Sequence, residues 1–327
     1  MKTIVIILTL LFPRDTLSVM FWNVENFFDW RNDSTTVSDL EFSPAGERHW
    51  TWKRFQAKAN AFAKALFWVE GETGRLPDIV GLEEVENAFV LRQVLQKTAL
   101  RKTDYNYVHY DSPDRRGIDV ALLYRSSVLE LLESKPCHLY AADTVMATRD
   151  ILLCVFQRKT PGASSVIPGL TGNLSDSSTF AVLVNHHPSK YGGAAESEPR
   201  RRIAVERLRF LADSLAAIGI DRIIAGGDFN DTPDNPVFRL LEPALFPTHI
   251  DLHRRGQGTI KYDGKWDLID HIYVSPAVGA PSMRILRIPF LLTRDNVHSG
   301  EKPHRTYTGP RHTGGVSDHL PVMLIIQ

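Results

Sequence analysis

Two cysteines in 327 residues, Cys137 and Cys154, leave no disulfide framework to staple the chain. Both sit in strand-like segments, and buried thiols are the expected state. Charge of one sign is not in excess either, because 38 Lys and Arg balance 38 Asp and Glu. A neutral chain exerts no strong overall field on nucleic acid or membrane, although a local basic patch is compatible with it. The basic clusters Arg115-Arg116, Arg200-Arg201-Arg202 and Arg254-Arg255 each read first as a solvated face. No segment is long and apolar enough to cross a bilayer as a helix, which takes about 20 residues. The uncharged run Thr3–Phe12 after Met1-Lys2 is too short for that and resembles a signal peptide. It predicts a secreted or periplasmic protein with residues 1–16 removed; the competing reading is a buried first strand. Pro13–Ser18 offers no clear small-x-small cleavage site.

What is present is a chain with 43% apolar and 23% charged residues, ample for a globular core. Leu17–Phe21 reads as the first secure strand. Trp52–Val69 places Phe55, Ala59, Phe62, Ala63, Leu66 and Phe67 on one side of a helix, ended by Gly71 and Gly74. Pro77–Leu82 reads as a buried strand, Asn87–Leu100 as a second helix, and Glu198–Ile218 as a long third one with Pro199 in its first turn. Further strands are expected at Tyr105–Tyr110, Ile118–Tyr124, Val128–Leu132, Asp150–Phe156, Phe180–Asn185, Asp221–Ala225, Trp266–Ser275 and Ser317–Ile326. Lys159–Ser178, rich in Gly, Ser, Pro and Thr, reads as a surface excursion, and Arg294–Gly315 as a loop. Helices separate some strands while others follow in hairpin succession. One α/β domain over residues 17–327, with sheet layers between helical layers, fits that order.

The chemistry-bearing residues stand at the ends of these runs: Trp22-Asn23-Val24-Glu25, Leu82-Glu83-Glu84-Val85, Asn185-His186-His187, Gly227-Asp228-Phe229-Asn230, Ile269-Asp270-His271 and Ser317-Asp318-His319. Strand ends are where a sheet presents side chains to a crevice. Carboxylates, amides and imidazoles converging there suit metal-assisted attack on a phosphate ester. Asp228 and Asn230, two apart, share a face in extended backbone. Glu83 and Glu84 face opposite ways, so one of them is expected in the site.

In this order, with Arg116-Gly117-Ile118-Asp119-Val120 and Asn185-His186-His187-Pro188-Ser189-Lys190 between them, the motifs resemble the endonuclease/exonuclease/phosphatase superfamily. The resemblance runs from about Ser18 to the C-terminus and is nearest to secreted members from bacteria that degrade complex polymers. It implies a four-layer α/β sandwich, two packed mixed β-sheets flanked by helices (the DNase I-like fold), and divalent-metal-dependent phosphoester hydrolysis. The cofactor implied is Mg²⁺, with Mn²⁺ or Ca²⁺ as alternatives.

Carried over motif by motif, the resemblance makes Glu84, Asn23 and Asp318 the metal-side residues. A hard cation takes oxygen ligands and is typically held by one or two carboxylates. The bland reading of Asn23 is an Asx turn at a strand end. Asp228 orients or deprotonates the attacking water, and Asn230 contacts a phosphate oxygen. His319 donates to a non-bridging phosphate oxygen, with Asp270 holding its tautomer and favouring the imidazolium. His186 is the second imidazole, and His187 a packing substitute. His271 falls on the opposite face of its strand. Arg116, Asp119 and Lys190 are weaker candidates for substrate binding; the alternative for Asp119 is a buried pair with Arg115 or Arg116.

The substrate is left open between classes. An endonuclease-like phosphodiesterase is the first reading, with nucleic acid as partner, although the charge balance argues against tight, processive binding. The alternative is a small-molecule or lipid-head-group phosphodiesterase or phosphatase, of sphingomyelinase or inositol-phosphate type, enclosing a head group between Trp50, Trp52, Tyr262, Trp266 and the metal. A non-catalytic binding module on the same fold is the third. No stable membrane insertion and no obligate protein partner is expected.

Overall fold

The computed structural model describes residues 16–32, 36–159, 178–190 and 193–326. The Thr3–Phe12 run and most of the Lys159–Ser178 stretch lie outside the described residues. The first sheet begins with β1 (Leu17–Phe27), β2 (Ile79–Val85), β3 (Tyr105–His109) and β4 (Asp119–Arg125). The second takes β5 (Leu129–Cys137), β6 (Ile151–Arg158), β7 (Thr179–His186), β8 (Ile223–Asp228), β9 (Phe246–Pro247) and β10 (Asp270–Val274). The chain then returns to the first sheet with β11 (Arg284–Ile285) and β12 (Val322–Ile326). Spatial order is β11-β12-β1-β2-β4-β3 in one sheet and β9-β10-β8-β7-β6-β5 in the other. Each sheet mixes one parallel pair, β1 with β2 and β7 with β8, among antiparallel neighbours. Three long helices, α1 (Trp52–Thr73), α2 (Ala88–Lys97) and α3 (Ala194–Ala217), cover the outer faces.

The layering follows from strand parity. Leu17, Val19 and Phe21 of β1 enter the apolar layer between the sheets, while Met20 and Trp22 join the layer beneath α1 and α2. A strand covered on both faces reads as a continuous apolar run, which is why LSVMFW shows no polar alternation. A third layer packs Leu183, Ile223 and Ala225 against Ala204, Leu208 and Leu215 of α3. Phe21 locks the sheets together. A Cβ built on Gly81 of the neighbouring β2, or on Gly226 of β8 in the facing sheet, would lie 2.4 Å from its ring, so both strands need glycine there.

Caps set the helix boundaries. Thr51 accepts from the Arg54 amide and Asn87 from the Val90 amide, each satisfying an amide that the first turn leaves unpaired. Gly71 lies inside α1, and the helix ends at Gly74, whose left-handed φ of 80° suits a residue without Cβ. The third helix starts earlier than its spacing suggests, so Pro199 falls in its interior instead of its first turn. The expected Trp266–Ser275 strand divides into Lys265–Asp267 and β10, and the 294–315 loop contains the short hairpins Leu292–Arg294/Glu301–Pro303 and Tyr307–Thr308/Arg311–His312. Cys137 and Cys154 are both buried free thiols.

Candidate active site

The parity that fills the middle layer also assembles the site. Continuing Val19 and Phe21 by two gives Asn23; continuing Ile79 and Gly81 gives Glu83. In the second sheet, Val182 and Val184 lead to His186, and Ile224 and Gly226 lead to Asp228. Asp228 is the register partner of both His186 and Asp270. Apolar pairs therefore close the sandwich along most of its depth, and polar residues replace them at one edge.

There the groups touch. Asn23 Nδ2 donates to Asp228 Oδ2 at 3.0 Å across the two sheets. His186 Nε2 stands 3.5 Å from the same oxygen and 4.0 Å from Glu84 Oε1. His319 Nε2 is 3.9 Å from Asp228 Oδ2, and its Nδ1 is 2.9 Å from Asp270 Oδ2. Arg116 reaches Glu84 Oε1 at 3.4 Å and Asn26 Oδ1 at 2.7 Å. Asn230 joins by a turn, since its φ of 52° ends the extended backbone. Its amide N donates to Asp228 Oδ1 and its Nδ2 lies 3.2 Å from Asp228 Oδ2.

Both members of the glutamate doublet come to this edge. Glu83 follows the strand parity into the middle layer. Glu84 has a left-handed φ of 65°, and the β2–β4 register shifts between Glu83 and Val85, so its carboxylate stays at the rim. Simple alternation would have sent it to the helix side. Glu83 is the residue that sequence reasoning set aside. It is fully buried and neither carboxylate oxygen has a hydrogen-bond partner among the described residues. Burial, then Asp270 and Asp228, raise its pKa well above the ordinary value. Its parity with Ile79 was the available signal. Arg305 was also missed: it bridges Glu25 at 3.2 Å and Asp318 at 3.0 Å from within a stretch read as loop.

Other candidates are placed differently. Asn23 Oδ1 accepts from the Glu25 amide, closing an Asx turn and leaving one lone pair. Asp119 shares the helix-side face of Ala121 and Leu123, and it binds His109 at 3.1 Å and Ser112 instead of Arg115 or Arg116. With exposed Asp111, this pair forms a His/Asp group whose ligand atoms lie within 4.8 Å of one another. Lys190 lies against Asp231 at 2.6 Å. His187 packs on Phe229, their ring centroids 4.4 Å apart, and His271 stacks on His249 in the outer layer. Trp50 cannot line a head-group cleft. It is buried between Phe42 and Tyr307, with its indole NH on the Phe28 carbonyl.

Electrostatics divides the two histidines. Burial, helped by Arg149 and Arg116, lowers the His186 pKa well below the imidazole value and keeps it neutral. Burial works against His319 too, but Asp270, Asp228 and Asp318 outweigh it and hold the imidazolium. Asp228 is raised to about 7, by burial first, with His319 opposing. The carboxylates of Glu83, Glu84, Asp228, Asp270 and Asp318 thus crowd one edge, and an oxygen-seeking cation fits that donor set.

Two mixed sheets packed face to face, with helices outside and an acid–imidazole cluster at one edge, define a DNase I-like hydrolase fold. The family model of the endonuclease/exonuclease/phosphatase family matches residues 18–327, and the chain belongs to that family of phosphoester hydrolases. Among solved structures it is similar to an endonuclease/exonuclease/phosphatase family protein from Bacteroides thetaiotaomicron, with TM-score 0.57 and 17% identity over 95% of this chain and 97% of that one. It is likewise similar to a mannosyl-6-phosphatase from Bacteroides thetaiotaomicron (TM-score 0.56, 16% identity, 95% and 99% covered). The third is the human Nocturnin catalytic domain with bound sulfate anion (0.54, 18%, 95% and 94%). No curated protein matches the chain.

Proposed function

We propose that this protein is a divalent-metal-dependent phosphodiesterase that cleaves by in-line attack of water, with endonuclease-like action on nucleic acid as the first reading. The observation that carries it is the meeting of Glu84, His186, Asp228, Asp270 and His319 within hydrogen-bond or ion-pair reach. Glu84 and Asp318, with the second lone pair of Asn23, would hold Mg²⁺, and Mn²⁺ or Ca²⁺ would fit the same oxygen donors. Bound there, the cation supplies Lewis-acid stabilisation of phosphate charge and an acidified water.

The chain's own residues do the rest. Asp228 accepts a hydrogen bond from the attacking water and takes its proton, its two oxygens fixed by Asn23 and Asn230. His319, charged and pinned at Nδ1 by Asp270, presents Nε2–H to a non-bridging phosphate oxygen, whose charge grows in the transition state. Neutral His186 offers a second imidazole nitrogen beside the leaving oxygen. Arg116 adds a cationic donor to the phosphate. Asn230, expected to contact a phosphate oxygen, instead has its Nδ2 between the His187 carbonyl at 3.0 Å and Asp228 Oδ2 at 3.2 Å, where it holds Asp228 in place.

The balanced charge of the chain and the mannosyl-6-phosphatase among its structural neighbours support a second reading, a phosphatase or diesterase for sugar phosphates or lipid head groups. Purified protein with Mg²⁺ or Mn²⁺ is expected to hydrolyse bis-p-nitrophenyl phosphate, with EDTA abolishing turnover. Asp228→Ala and His319→Ala are each expected to reduce kcat by about 10²–10⁴. Wild-type rates in either variant would refute the mechanism. A side-by-side panel of nucleic acids, head-group lipids and sugar phosphates separates the two readings.

A further inference from the structure

Beside the candidate centre lies a cavity of about 140 Å³, lined among others by Asn26, Arg48, Arg305, Thr306 and Tyr307. It shares walls with the centre. The Asn26 amide N donates to Glu84 Oε2 at 2.8 Å, and Arg305 holds Asp318. The two arginines enter from separate parts of the chain and remain accessible, with side chains 24% and 49% exposed.

The side-chain polar atoms of the cavity that remain wholly unengaged are donors. Both Glu25 oxygens accept, from Arg305 Nε and from the Thr306 amide. The Thr306 hydroxyl donates to the Val316 carbonyl and accepts from Lys58. The Tyr307 hydroxyl donates to the Arg48 carbonyl, and Asn26 Oδ1 accepts from Arg116. Arg48 commits Nε to Glu41 and Nη1 to the Gly309 carbonyl; Arg305 commits Nε to Glu25 and Nη2 to Asp318. Arg48 Nη2, Arg305 Nη1 and Asn26 Nδ2 have no hydrogen-bond partner among the described residues. A small cavity with two guanidinium ends and an amide donor unengaged, and with each side-chain acceptor already holding one hydrogen bond, matches a compact anion rich in acceptors.

We infer that this cavity is a subsite for a second phosphate of the substrate, adjacent to the phosphate that is cleaved. The inference rests on the phosphoesterase reading above and narrows it to esters that carry two phosphates. Such a group is either the neighbouring internucleotide phosphate of a single strand or the second phosphate of a small bisphosphate.

Two substrate pairs separate those sources: thymidine di- and trinucleotides (TpT and TpTpT), and fructose 6-phosphate against fructose 1,6-bisphosphate, each with wild type in Mg²⁺ or Mn²⁺. In one pair the second phosphate is expected to lower KM about tenfold. Arg48→Gln should erase that gain while turnover of bis-p-nitrophenyl phosphate stays at wild-type level, which also reports an intact fold. Arg48→Lys, keeping the charge without the fork, should retain part of it. Equal KM within each pair, or a gain that survives Arg48→Gln, overturns the subsite alone. Failure of the wild type on bis-p-nitrophenyl phosphate and on every member of both pairs removes the underlying reading and the subsite with it.

Discussion

His249→Phe should flatten the acid side of this protein's stability curve. His249 is fully buried, its Nδ1 bonded to the Ile272 carbonyl at 3.1 Å and its Nε2 without a partner among the described residues. Its ring stacks on His271 at 4.3 Å and 17°, inside a cage that includes Phe229, Phe238 and Tyr273. Burial, against the Ile272 bond, lowers the His249 pKa to about 3, and burial together with His249 lowers that of His271 well below the ordinary value. The folded state therefore keeps both rings neutral while the unfolded chain takes up protons below about pH 6.5. The unfolded state binds more protons, so stability is whole above that pH and falls as pH drops towards about 3. At pH 5 one such histidine removes roughly 2 kcal/mol, a sizeable part of a typical 5–15 kcal/mol.

The wild-type slope alone does not isolate this effect. Asp228, with its pKa raised to about 7, holds a proton in the fold that the unfolded chain has released, so its contribution grows as pH falls. The difference between wild type and variant cancels that part. Phenylalanine keeps the stack but loses the bond to Ile272, a loss of about 1 kcal/mol at any pH. Urea midpoints should place His249→Phe below wild type near pH 7.5 and about 1 kcal/mol above it near pH 5. A gap of equal size and sign at both pH values would refute the account of the buried rings.

Two further outcomes follow from other parts of the fold. Asp270→Asn removes the carboxylate that favours the His319 imidazolium, so the basic limb of the pH–kcat profile should move to lower pH, with kcat down by about 10²-fold; an unmoved limb would count against His319 as the charged donor. Gly226→Ala places a methyl 2.4 Å from the Phe21 ring between the sheets and should cost about 1–3 kcal/mol by urea denaturation, with its guanidinium- and urea-derived values agreeing.

Much of this architecture was legible because strand parity survives in the sequence. Val19, Phe21 and Asn23, or Ile224, Gly226 and Asp228, can be followed by twos from core into site before any coordinate is known. Ser317-Asp318-His319 before the last strand was equally open to reading. The apolar spacing of Phe55, Ala59, Phe62 and Leu66 announced the first long helix. What parity does not encode is where a strand departs from it. The positive φ of Glu84 and the turn at Asn230 are tertiary decisions, forced where β1 and β2 leave the sheet and where β8 ends. Asp119 looked like a cleft residue because it interrupts an apolar run. Its partner, His109, is supplied by the β3–β4 pairing, which no local pattern marks.

Whole-chain charge was the least informative quantity for the site, and the reason is geometric. A sum of zero averages over the entire surface, whereas strand ends concentrate what they carry. Glu83, Glu84, Asp228, Asp270 and Asp318 meet at one edge of the middle layer, faced by Arg116, Arg305 and His319. Arg305 divides its guanidinium between Asp318 and Glu25, and Arg116 divides its own between Glu84 and Asn26. The cations present therefore secure the rim, and the inner carboxylates of Glu83 and Asp228 rely on raised pKa values to tolerate one another. A site so arranged gains most from a small cation that reaches the oxygens which the arginines do not, and least from further basic residues at the surface.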